Sequence, residues 1–171
     1  MKEFLIMEID NEKIQIKLIL NRMTNLWDYI TNFAEIHEKS LKELLIKYHY
    51  EDILNKNLML SEFHVIDCIG KNQLPNATFI SKELDMTKGA ISKIAAKLIK
   101  KGFIKGNRLE DNKKEIYYTL TSKGKTVFQI HKELHEIENR KLINMLNRYN
   151  KEELNTINNF LGDCINSLFQ E

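Results

Sequence analysis

A chain of 171 residues that is 43% hydrophobic and 29% charged can bury one sizeable core and is too apolar for a disordered tail. No uncharged run reaches the about 18 residues of a membrane span, and Phe4-Leu5-Ile6-Met7 is too short for an export signal, so the expectation is a cytoplasmic protein. The formal charge of +2 hides an asymmetry: residues 87–125 hold eleven Lys/Arg against three Asp/Glu, a local +8 that leaves −6 elsewhere and marks a surface for a polyanion.

Two cysteines, Cys68 and Cys164, allow neither a disulfide framework nor a thiolate zinc finger within one chain. One proline and six glycines favour long helices, so the fold class expected is mostly α. From Lys13 to Tyr50, apolar residues recur every three or four positions (Ile19, Met23, Leu26, Ile30, Phe33, Leu41, Leu44), which predicts a long amphipathic helix with a break near Ser40. Ser61 is positioned to cap a helix running through Gly70, with Phe63, Ile66 and Ile69 on its apolar face.

Two short helical patterns follow, Thr78 to Leu84 and Thr87 to Lys101, with Gly102 as a left-handed stop; joined so tightly, they read as helix-turn-helix. Phe103 to Arg108 and Glu115 to Leu120 are rich in strand formers and flank a polar loop, a β-hairpin. Thr121 or Ser122 caps a helix to about Asn147, and Asn150 with Glu153 opens a last one. In that helix Leu154, Ile157, Leu161, Cys164 and Leu168 form a heptad stripe that requires a partner helix. The organisation expected is an N-terminal dimerisation helix in 1–56 (1–24 being an extension), a winged helix-turn-helix domain in 57–120 and C-terminal dimerisation helices in 121–171.

On the helix from Thr87 to Lys101, the inward face is expected to hold Ile91, Ala95, Leu98 and Ile99. Thr87, Lys88, Ser92, Lys93 and Lys97 then face outward, where a major groove would admit them. Arg108, Lys113 and Lys114 lie on the hairpin loop, in reach of phosphates or the neighbouring minor groove.

The segments ISKELDMTKGAISK (80–93), LIKKGFI (98–104) and LTSKG (120–124) resemble MarR-type winged-helix regulators over about residues 25–169. The resemblance implies a homodimer built by the terminal helices, a recognition helix at Thr87 to Lys101 and a wing at Arg108 to Lys114. Where the family carries an Asp-x-Arg or Asp-Arg-Arg signature at the wing, this chain has Asn112-Lys113-Lys114, a point charge in place of a guanidinium fork.

His131 and His135 stand at i and i+4 on one helix, so both imidazoles can reach a single ion; two surface histidines would show the same spacing. This pair resembles the paired histidines of the zinc-responsive AdcR/ZitR branch of the family. Ser61-Glu62-Phe63-His64 resembles the start of that branch's second helix and implies His64 as a ligand. Lys42 to Ile46 resembles the segment carrying a glutamate ligand and implies Glu43, with His49 as the substitute. Phe63 and Ile130 stand where the branch has carboxylates of a second metal site, which is therefore expected to be absent. His37 is taken as structural, and Cys68 as a buried thiol.

Three imidazoles and a carboxylate suit tetrahedral Zn(II) in a regulatory site. Glu133 sits two positions after His131, not directly after it as a zinc protease requires, so no enzyme is expected. The resulting expectation is a homodimeric repressor of zinc-uptake genes on a palindromic DNA operator, with Zn(II) as corepressor. The alternatives are a MarR-type repressor released by a small aromatic or amphipathic ligand, and a helical protein-interaction module.

Overall fold

The structure is a computed structural model and describes residues 2–110 and 114–168, with side chains for 11–110 and 114–167. Among the described residues, eight helices and one hairpin follow in chain order: α1 Lys2–Thr31, α2 Phe33–Lys47, α3 Glu51–Leu54, α4 Leu60–Lys71, α5 Ala77–Glu83, α6 Lys88–Lys101, β1 Ile104–Asn107, β2 Tyr117–Leu120, α7 Ser122–Leu146 and α8 Lys151–Leu168. This is the winged helix-turn-helix fold expected. None of the described helices is long and apolar enough to cross a membrane.

The long N-terminal pattern breaks at Asn32, eight residues before the expected place. Asn32 Nδ2 and Thr31 Oγ1 both donate to the Asp28 carbonyl, at 2.8 and 2.9 Å, and these side chains compete with the helical ladder. Ser40 lies inside α2. The start of α4 also differs. Glu62 supplies the cap, accepting from Met59 N at 2.9 Å, and the helix begins at Leu60.

The helix expected from Thr78 begins at Ala77 behind Asn76, whose Oδ1 accepts from Phe79 N at 2.8 Å, while three other caps are those legible in the sequence. Thr87 Oγ1 accepts from Ala90 N, Thr121 Oγ1 accepts from Gly124 N, and Asn150 and Glu153 exchange bonds at the start of α8. Gly102 ends α6 at φ 84°, a left-handed conformation that a Cβ would strain. The two strands pair antiparallel from Ile104 opposite Leu120 to Asn107 opposite Tyr117, shorter than the sequence pattern.

The core sits where α4 packs between α5, α6 and the hairpin on one side and α7 on the other. Phe63, Ile66 and Ile69 of α4 meet Ile80 of α5, Ile91, Ala95 and Leu98 of α6, Phe103 and Ile104, and Val127 of α7, all buried. Ile99, expected inward, is 45% exposed, because the stripe through Ile91, Ala95 and Leu98 already fills the face turned to the core. Gly124 fixes the seat of α7 on the hairpin: a Cβ there would stand 2.0 Å from the Phe103 carbonyl oxygen. Thr121 Oγ1 donates into the same corner, where the Gly102 and Phe103 carbonyls lie at 2.7 and 3.0 Å.

Candidate metal centre and nucleic-acid interface

Three helices that are distant in sequence meet around a group of imidazoles. His37 comes from α2, His64 from the second turn of α4, and His131 and His135 from the middle of α7. His37 and His131 are 1% and 2% exposed, while His64 and His135 stand at the solvent edge. His37 Nε2 and His131 Nε2 are 3.2 Å apart. One ring nitrogen each of His37, His64 and His131 lie within 4.8 Å of one another. The His135 ring packs on both neighbours, with centroids 4.9 Å from His37 and 4.5 Å from His131.

Carboxylates back these rings. Glu138 Oε1 is 3.3 Å from His37 Nδ1, and its Oε2 is 3.4 Å from His135 Nδ1. Asp67 Oδ1 is 3.5 Å from His131 Nδ1, and its other oxygen pairs with Lys71 Nζ at 2.6 Å. Burial lowers the pKa of His37, His64 and His135, each next to other imidazoles, so these rings are held neutral. Burial would raise the Asp67 carboxyl, yet the facing His131 and Lys71 bring it below its ordinary value.

The donor chemistry fits a zinc-type cation. Tetrahedral zinc with Zn–N bonds of about 2.0–2.1 Å sets its nitrogens about 3.3 Å from one another, near the observed 3.2 Å. Asp67 Oδ1 and His131 Nδ1 are both buried and face each other at 3.5 Å, and neither makes a hydrogen bond among the described residues.

The expected ligands divide accordingly. His64 and His131 come together with His37, the His135 ring packs beside His37 and His131 without its nitrogens joining that group, and Glu43 does not join them and lies exposed on α2. Six residues separate it from His37, about 240° of helical rotation, so when His37 turns toward α7 Glu43 points to solvent. The structural role expected of His37 is replaced by membership of the cluster. His49, the substitute, is exposed beyond the end of α2 beside Glu51. Sequence reasoning missed His37, Asp67 and Glu138. Glu138 had a signal: His131, His135 and Glu138 fall at i, i+4 and i+7 on one face.

The basic face occupies the other end of the molecule. Thr87, Lys88, Ser92, Lys93 and Lys97 are all exposed along α6, and so are Arg108 and Lys114 at the foot of the hairpin. Lys113 lies outside the described residues. Lys88 and Ser92 of α6 share one groove with Lys114 and Ile116 of the wing and Thr78 of α5. Helix and wing thus border a single concave surface. Lys101, at the end of α6, turns inward and its Nζ pairs with both oxygens of the buried Glu62 at 2.6 and 2.8 Å. This ties the recognition helix to the helix that bears His64.

Helix-turn-helix, wing and basic face coincide with a family pattern. The MarR family matches residues 58–116, from just before α4 into the hairpin. The chain is 36% identical over 132 residues to the uncharacterized HTH-type transcriptional regulator YhjH of Bacillus subtilis (strain 168), a match covering 71% of this chain and 75% of that protein. The chain belongs to the MarR family. It is therefore a MarR-family DNA-binding transcriptional regulator and not an enzyme. Among solved structures, Streptococcus pneumoniae FabT in complex with DNA superposes with a TM-score of 0.67 at 26% identity, over 87% of this chain and 96% of that one. The zinc-responsive MarR family member ZitR of Lactococcus lactis superposes with a TM-score of 0.60 at 20% identity, over 66% of this chain and 77% of that one. At that identity ZitR speaks for the MarR fold alone.

Proposed function

We propose that this MarR-family regulator is a zinc-dependent repressor that binds a palindromic operator as a homodimer, with Zn(II) as corepressor and zinc-uptake genes as its targets. The observation that carries the proposal is the pair of facing nitrogens, His37 Nε2 and His131 Nε2 at 3.2 Å, flanked by His64 and His135. The ligand set we assign is His37, His64, His131 and His135. The choice of target genes rests on the resemblance of the histidine segments to the AdcR/ZitR branch.

When bound, the ion supplies one fixed point common to α2, α4 and α7. The protein's own residues do the rest. His64 is on α4, whose Glu62 holds Lys101 of α6, so any shift of α4 is carried to the recognition helix through a half-buried ion pair. Glu38, next to His37, accepts from Leu60 N at 3.2 Å and ties α2 to the start of α4. Joining these helices fixes the angle of the reading head, and in a dimer sets two recognition helices for grooves about 34 Å apart or a multiple of it. The apolar side chains left on α1 and α8, among them Ile14 at 56% and Ile165 at 57% exposed, are the surface such a dimer would bury.

Thr87, Lys88, Ser92, Lys93, Lys97, Arg108, Lys113 and Lys114 are assigned to DNA. With roughly four to five phosphates neutralised per protomer, the log-log salt slope of a dimer is expected near −8. Fluorescence anisotropy of a labelled palindromic duplex, titrated with protein in zinc and again in chelator, tests the reading. Zinc should tighten binding about 5- to 150-fold, a coupling of about 1–3 kcal/mol, and His131→Ala should abolish that gain while keeping the metal-free affinity. Equal affinity in zinc and chelator for the unaltered protein would overturn it.

A further inference from the structure

The imidazoles of the cluster are neutral donors, and a tetrahedral ion bound by them alone would keep its full double charge in a half-buried site. The compensating charge is one bond further out. Glu138 reaches two rings on two different helices with one carboxylate, His37 Nδ1 at 3.3 Å on α2 and His135 Nδ1 at 3.4 Å on its own α7. Asp67 stands behind the third ring, 3.5 Å from His131 Nδ1. A carboxylate only accepts hydrogen bonds, so His37, in hydrogen-bond geometry with Glu138, carries its proton on Nδ1, and the carboxylates facing His135 and His131 favour the same tautomer there. That leaves the Nε2 atoms of His37 and His131 bare, lone pair toward lone pair across 3.2 Å, an arrangement that a cation between them relieves.

We propose that Glu138 is a positioning residue of the metal centre, whose single carboxylate fixes the tautomers of His37 and His135 on two helices and so presents their Nε2 atoms to a divalent cation, with Asp67 doing the same for His131. The inference rests on the zinc-site reading above and deepens it. It also names the class of ion. Four nitrogens backed by carboxylates favour Zn(II) and its borderline neighbours, while Mg(II) and Mn(II), which prefer oxygen, are poorly served.

Glu138→Gln gives the sharpest test. A carboxylate can accept from two imidazole N–H groups at once, whereas an amide accepts with its oxygen and presents donors on its nitrogen, so one ring must turn its proton to Nε2 and lose its ligating lone pair. Glu136→Gln is the control, since it removes the same charge from the same helix at an exposed position facing Lys132 and Arg140. Zinc affinity is measured on the full-length protein by competition with a chromophoric chelator. Co(II) loading reports the coordination number through its visible absorption, and thermal melting of the metal-free protein reports the fold.

Glu138→Gln should bind zinc about 10- to 100-fold more weakly. Its Co(II) bands should lose the intensity of a four-coordinate site, and its metal-free melting temperature should match that of the parent. Glu136→Gln should match the parent throughout. If the parent holds zinc and Glu138→Gln holds it equally well with the same Co(II) spectrum, the positioning role is overturned while the zinc site stands. If the parent itself retains no zinc, the proposed function falls and this inference with it. Should Glu138→Gln fail to fold, Asp67→Asn carries the same expectation through the third ring, and unchanged zinc affinity there overturns the proposal.

Discussion

The reading head and the two ends of the chain treat apolar side chains in opposite ways. Between Leu60 and Leu120 a set of large apolar residues is buried against one another: Phe63, Ile66, Ile80, Ile91, Leu98 and Phe103 are all closed from water. Along α1 and α8, Ile14, Leu18, Ile19, Leu26, Leu161 and Ile165 are at least 44% exposed. The head buries its own core within one chain, so its stability is expected to be independent of protein concentration. Among the described residues the terminal helices present amphipathic stripes that stay largely exposed, the surface that the proposed dimer would bury. The histidine cluster lies on the border, with one imidazole from α2, the helix that follows α1, and the others from α4 and α7. Whatever fixes the cluster therefore also fixes the head against the terminal helices.

The largest effect should come from breaking the terminal helices. Leu161→Asp with Ile165→Asp places two carboxylates on the exposed stripe of α8, and sedimentation should show a monomer whose head still gives native amide-exchange protection. Operator affinity should fall about 10²- to 10⁴-fold, because two linked half-site contacts become separate ones. A dimer of unchanged affinity would show that the stripe is not the association surface.

Next is the border itself. His37→Ala should erase the zinc enhancement of about 5- to 150-fold in the anisotropy titration, and Glu43→Ala should retain it. The reverse result would return the ligand role to Glu43. Within the head, Gly124→Ala forces a methyl into the Phe103 carbonyl oxygen and should cost about 1–3 kcal/mol in urea unfolding, with no change in the slope against denaturant. Ala in place of the exposed Gly89 tests the reverse case, since nothing lies within 4 Å of its added Cβ.

A smaller effect is expected from the basic face. Lys93→Ala should lower the log-log salt slope by about 0.9 for each phosphate it leaves unneutralised and weaken binding to all duplexes alike. Acidification should act on the border. His37, His64 and His135 titrate below the ordinary imidazole value of 6.5, so the unfolded chain takes up protons first as pH falls. Their contribution to metal-free stability is fully present above about 6.5 and is lost as pH drops through the lowered folded values. Thermal melts from pH 8 to pH 5 would reveal this, and the shift should shrink in His37→Ala.

Most of the head was legible because its signals are local. Caps such as Thr87, Thr121 and Asn150 act on N–H groups three residues away, and Gly102 needs only its own backbone to stop a helix. The break at Asn32 escapes the sequence pattern because it depends on side chains folding back onto the Asp28 carbonyl, which no apolar periodicity reports. In the candidate metal centre, spacing and resemblance find His64, His131 and His135, while resemblance favours Glu43 over His37.

By itself the sequence determined the winged helix-turn-helix, the basic α6 face and the i, i+4 histidine pair, since each is written within a few residues by helical or strand geometry. Only the tertiary structure decided that His37, 94 residues from His131, brings its Nε2 to 3.2 Å from that partner. Which face of α2 turns toward α7 follows from how Leu41, Leu44 and Leu45 pack into the common core, and that packing is a property of the assembled helices.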